Sequence, residues 1–162
     1  MTAWLAYARS QIGTREIPGP KHSQTVMGYV RRAAQWLGVA VKDDETPWCG
    51  TFAAACVLQA GLTPPKIAVR AKSWAAWGVA LPAPVPGAVL VFERQGGGHV
   101  GFYTGETATH YRVLGGNQSN AVNEMLLAKN RCIAMRWPAG VPVLGKRVHL
   151  AAGGAPVSEN EA

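Results

Sequence analysis

Apolar residues recur at helical spacing three times before Gly61, and after Pro86 they change to short unbroken runs and alternation. Trp4, Leu5, Ala8 and Ile12 share one face of a helix predicted over residues 3–12, which Gly13 ends. A second helix is predicted over 24–37, with Val26, Met27, Val30, Ala33, Ala34 and Leu37 inward and Gly38 as its stop. Pro47 closes what precedes it and is tolerated at a helix start because it has no amide proton. From Cys49 onward, Phe52, Ala53, Cys56, Val57 and Ala60 fall on one face, and Gly61 ends the helix. Residues 72–78 suggest a short helix with two aromatics.

The second half reads as strands. Pro82, Pro84 and Pro86 set an extended approach to a buried strand over 87–92. Gly96-Gly97-Gly98 is a loose turn, and strands follow at 99–104, 111–114 and 133–137. Residues 16–20, 43–46 and 117–120 read as loops. Helices first and an antiparallel sheet afterwards predict an α+β domain with its N-terminal helices packed on a C-terminal sheet. That domain is expected to span 1–148. Residues 149–162, rich in Gly and Ala and ending Ser-Glu-Asn-Glu-Ala, are expected to form a flexible tail.

A chain of 162 residues is long enough to bury one core, and its 48% apolar and 15% charged content is that of a globular domain. The net charge of +7 favours polyanions: nucleic acid, anionic lipid or an acidic bacterial envelope. The positive residues are scattered, and no basic helix interleaves them with aromatics, so nucleic acid is not the expected partner. Residues 1–9 lack a basic start followed by a long apolar run, so no secretory signal is expected, and no stretch is long enough to span a bilayer. Synthesis as a soluble cytoplasmic protein follows as an expectation, and a monomer is expected. Three cysteines argue against a closed disulfide framework. With no Cys-x-x-Cys and no His-x-x-x-His, neither a metal nor another cofactor is expected.

The candidate chemistry lies at two places half the chain apart. Cys49 begins a helix, where unpaired amides and the helix dipole favour a thiolate. His99 opens a strand after three glycines, and a strand-borne imidazole beside Cys49 would complete a nucleophile and its base. A third polar group should fix the imidazole tautomer. The strand pairing antiparallel to 99–104 should finish near His99, which makes the Asn117 amide the first choice and Gln118 the runner-up. Cys56 and Cys132 read as core, and His22, His110 and His149 as solvated.

Four segments also carry a resemblance: Pro47-Trp48-Cys49-Gly50-Thr51-Phe52, Pro86 to Phe92, Gly98-His99-Val100-Gly101-Phe102-Tyr103 and Leu114 to Val122. Together they resemble the CHAP and NlpC/P60 superfamily of papain-like peptidoglycan hydrolases, and more narrowly the small CHAP-like proteins of phages and prophages. Glu16-Ile17-Pro18-Gly19-Pro20 is similar to that subgroup's N-terminal motif, and the likeness covers residues 4–137. One departure is Ala88, where relatives usually have an acidic residue. The resemblance implies a papain-like fold, no cofactor, and a Cys-His pair with a polar third member at Cys49, His99 and Asn117. It implies cleavage of an amide in the peptide part of bacterial peptidoglycan, by an endopeptidase or amidase. Release from the host cytoplasm as a phage endolysin would bring it to the periplasm or wall. The alternatives are a secreted antibacterial amidase effector, an acyl-transferring relative, and a non-catalytic wall-binding or virion module. Trp48, Trp74, Trp77, Tyr103 and Gln118 are candidates for lining the substrate cleft.

Overall fold

The computed structural model describes residues 1–17, 22–44 and 46–151. Helix α1 (Ala3–Ser10) begins where the Thr2 hydroxyl accepts from the Leu5 amide, and it buries Trp4, Leu5 and Ala8. It is shorter than the spacing predicts, because Ile12 lies past its end and is exposed. Helix α2 (Gln24–Leu37) is capped by the Ser23 hydroxyl on the Val26 amide and stopped by Gly38, whose φ of 85° is left-handed. Tyr29 takes the inward place expected of Ala34, which is exposed, and Met27 is only half-buried. Helix α3 (Cys49–Gln59) buries every residue from Cys49 to Val57 rather than a single face. It lies between α1 and α2 on one side and the sheet on the other, so its small, apolar residues serve two packing surfaces at once.

Six strands form one antiparallel sheet in the order β1-β6-β2-β3-β4-β5 among the described residues. They are β1 (Val79–Ala80), β2 (Val89–Arg94), β3 (Gly97–Glu106), β4 (His110–Gly115), β5 (Asn123–Ala128) and β6 (Cys132–Trp137). Gly97 and Gly98 belong to β3 rather than to a loose turn. Arg94 pairs with Gly97, which leaves a two-residue hairpin at Gln95-Gly96. β5, absent from the prediction, pairs with β4 from His110↔Ala128 to Gly115↔Asn123. A short 3₁₀ helix, Ala71–Ala76, carries the fully buried Trp74. The Trp4 indole donates to the Gly87 carbonyl and meets Trp137 edge-on at 5.2 Å, tying α1 to the approach to β2 and to β6.

The chain beyond β6 is held further than the sequence predicts. The Glu106 amide donates to the Val148 carbonyl, and the Leu150 amide donates back to the Glu106 carbonyl, so residues 148–150 extend the free edge of β3. Beneath this contact, the buried Glu106 carboxylate accepts from Tyr103, Lys129 and Arg147. The first residues of the expected tail, His149 and Leu150, thus pair with β3. Its remainder, 152–162, lies outside the described residues.

Candidate active site

Cys49 is the first residue of α3, and the preceding Trp48 caps the helix without any side-chain hydrogen bond. The first-turn amides are thus left to whatever anion the thiol presents. The residue after it must be glycine. A Cβ on Gly50 would come within 2.1 Å of the Ala68 carbonyl oxygen, which packs directly on the start of the helix. Burial pushes the Cys49 thiol up, but the hydrogen bond and charge of His99, with the Val100 and Gly50 amides, outweigh it. The net effect is a thiol held below its ordinary value. Cys56 and Cys132 move the opposite way, because burial disfavours their thiolates.

His99 lies on β3 opposite Phe92 of β2 and is fully buried. Its Nε2 is 2.9 Å from Oε1 of Gln118. The orientation of that amide follows from its other contacts. Gln118 Nε2 faces the Val113 carbonyl at 3.1 Å, the Asn123 carbonyl at 2.8 Å and the Asn123 amide oxygen at 3.0 Å. With only acceptors around the NH₂ group, Oε1 must be the atom turned toward the imidazole, and His99 Nε2 must donate to it. The other ring nitrogen, Nδ1, is left for the thiol, whose ionised form the imidazole favours.

Gln118, not Asn117, therefore makes the contact expected of the third member. Asn117 is buried, but its backbone takes a left-handed φ of 59° and turns the chain, so that the next residue returns over Gly115. Two glycines make room for that return. A Cβ on Gly115 would fall 2.7 Å from Gln118 Oε1 and 3.3 Å from His99 Nε2. One on Gly116 would fall 2.7 Å from the Phe52 Cβ and 2.8 Å from the Trp48 ring.

A cleft of about 240 Å³ opens at Cys49, lined by Pro47, residues 69–72, Arg94, Gly97 and Gly98. None of the proposed aromatic walls borders it. Trp48, Trp74 and Tyr103 are fully buried, because each ring fills the space between helices and sheet. Trp77 faces a separate groove beside Gly61 and Pro138. A larger, apolar groove of about 450 Å³ between Trp4, Trp137 and Leu144 holds no candidate residue. Sequence reasoning missed the cations Arg70, Lys72 and Arg94, which only tertiary packing brings beside Cys49. It also missed the bond from the Trp48 indole to the Glu16 carboxylate, 3.1 Å, and the role of Asp44. Fully buried Asp44 accepts from the Ile17 and Ser23 amides at 2.7 and 2.6 Å and meets His22 at 3.3 Å. His22 is thus half-buried against a carboxylate rather than solvated. Ala88, where an acidic residue was the family's habit, is fully buried at the approach to β2.

A thiol at a helix start, set against a histidine on an antiparallel sheet that is itself held by an amide, defines a papain-like site on an α+β fold. Residues 41–117 match the family model of the CHAP domain, a likeness consistent with the CHAP/NlpC-P60 superfamily. No curated protein matches the chain. The match takes in Cys49, the cleft and His99, and it ends one residue before Gln118. A CHAP domain points to hydrolase action on peptidoglycan, as an amidase or peptidase.

Proposed function

We propose that this protein is a cysteine hydrolase that cuts an amide in the peptide part of bacterial peptidoglycan, with Cys49 as nucleophile, His99 as base and Gln118 as the residue that orients it. The observation that carries the reading is the buried His99 ring, held by Gln118 through Nε2 and favouring the thiolate of Cys49 at the start of α3. His99 takes the thiol proton, and the thiolate attacks the carbonyl carbon of the substrate amide. The imidazolium returns that proton to the departing nitrogen as the C–N bond breaks, leaving a thioester on Cys49. Water, giving a proton to His99, then attacks the thioester carbonyl. The sulfur leaves with its electron pair, and a free carboxylic acid is released.

The site's setting supports a role in host lysis of the endolysin kind. A small domain of charge +7, with its cleft open to solvent, suits release from the cytoplasm onto an acidic wall. No helix among the described residues is long and apolar enough to cross a membrane.

Purified peptidoglycan incubated with the protein should yield new amine and carboxyl termini in equal number, identified by mass spectrometry. Cys49→Ala should remove that release almost entirely while leaving the melting temperature within a few degrees of the parent, since a small side chain replaces another at a single site. Release by Cys49→Ala at the parent rate rules the mechanism out. Transfer of the acyl group to an added amine, in place of a free carboxylate, would make the protein an acyltransferase.

A further inference from the structure

The wall of the Cys49 cleft is built from three cations that the amide chemistry described above does not use. Arg70 directly precedes the 3₁₀ helix, Lys72 lies in its first turn, and Arg94 ends β2. Glycines fix how close these elements stand. The missing Cβ of Gly50 lets Ala68 and Val69 lie against the first turn of α3, where a methyl would meet their carbonyl oxygens at 2.1 and 2.9 Å. Across the cleft, a Cβ on Gly98 would meet Lys72 Cγ at 3.1 Å, and one on Gly97 would stand 3.9 Å from the Arg94 guanidinium. The cations therefore sit over a backbone that has no side chains of its own.

Their charge is mostly uncompensated. No acidic side chain lines the cleft among the described residues. Lys72 pairs with Glu93 at 3.0 Å, a contact about half exposed on both sides. Arg94 Nε donates to the Gly98 carbonyl at 3.0 Å, which steadies the guanidinium and leaves its terminal nitrogens for another acceptor. Arg70 is exposed at the cleft and has no ion-pair partner among the described residues. Three like charges around one opening repel one another, and an anion bound between them relieves that repulsion. A planar guanidinium held at one end is suited to a carboxylate, which it meets with two parallel hydrogen bonds.

We propose that Arg70, with Arg94 and Lys72 behind it, recognises a free carboxylate of the substrate peptide close to the amide that Cys49 attacks. This rests on the hydrolase reading of the same site and adds its substrate class: peptides carrying an unmodified acid beside the cut, in preference to those in which that acid is an amide. Arg70 is a specificity-determining residue here, and Arg94 is the fixed member of the pair. Lys72, already offset by Glu93, contributes least.

The test compares two synthetic wall peptides that differ only in a carboxylate or carboxamide beside the scissile bond. The parent protein should turn over the acid with a kcat/KM about five- to tenfold higher, a modest factor because Arg70 is exposed. Arg70→Gln should raise KM for the acid by a similar factor with little change in kcat, and so erase the preference. Arg70→Glu should reverse it. Equal turnover of the two peptides by the parent, or an equal drop on both in Arg70→Gln, overturns the proposal. Equilibrium binding of the same peptides to Cys49→Ala gives the comparison without turnover. Discrimination in binding with no hydrolysis by the parent keeps the carboxylate site and ends the hydrolase reading. Hydrolysis without discrimination ends the carboxylate site alone, and neither binding nor hydrolysis ends both.

Discussion

Gln118 holds its place through the three acceptors around its NH₂ group, and that arrangement makes its substitutions informative. Gln118→Ala removes the acceptor for His99 Nε2 and leaves the Val113 and Asn123 oxygens without their donor. It should lower kcat by about 10- to 100-fold, less than loss of His99 itself, because an orienting group contributes less than the base it orients. Gln118→Glu keeps the atom facing His99 but turns a second oxygen toward the Val113 and Asn123 acceptors, so it should be less stable than Gln118→Ala rather than a rescue. Asn117→Gly should retain most activity, since glycine accepts the left-handed φ of 59° that the turn requires. Steady-state kinetics on one soluble wall peptide checks all three. Greater damage from Asn117→Gly than from Gln118→Ala would return the orienting role to residue 117. The choice between neighbours was not legible in Gly-Gly-Asn-Gln, because both amides suit the chemistry and only the backbone turn decides which returns to the histidine.

At the scale of elements, β3 carries both ends of the design: His99 near its start and Glu106 at its finish. Burial alone would raise the Glu106 carboxyl, but Arg147, Lys129 and Tyr103 hold it down at about 2. A carboxylate depressed below its ordinary value stabilises the fold fully above that value, near 4.5, and loses the contribution as the pH falls toward about 2. Glu106→Gln should therefore cost roughly 1.5–3 kcal/mol at pH 7, the range for hydrogen bonds to charged groups. The gap from the parent should narrow as the pH falls below about 4.5 and close near 2, as measured by urea unfolding across pH. A gap that stays constant would mean that the ion pairs contribute nothing. The same variant should loosen residues 147–150, raising hydrogen exchange at the Leu150 amide. β5 shows where periodicity fails. Asn-Glu-Met-Leu-Leu-Ala favours helix by composition, yet it is a strand because β4 offers it a full ladder of partners.

For the molecule as a whole, the charge of +7 should concentrate the protein at an acidic envelope through an attraction that salt screens over about 8–10 Å at physiological strength. Turnover of intact wall should fall as salt is added, more steeply than cleavage of a soluble carboxamide peptide, which lacks the polyanion. Parallel salt curves would place the effect inside the cleft instead. The α+β order of elements, the helix start at Cys49 and the histidine on an apolar strand were all readable from the chain, since each depends on local spacing and on the chemistry of one or two side chains. The sheet order, the burial of α3 from Cys49 to Val57 and of three expected cleft aromatics, the contact of Gln118 with His99 and the convergence of Arg70, Lys72 and Arg94 on Cys49 were decided only by tertiary structure. Periodicity reports which face of an element is apolar, whereas these features depend on how far apart separate elements settle. That distance is set by residues such as Gly50, Gly115 and Gly116, whose missing side chains matter only for what another part of the chain brings against them.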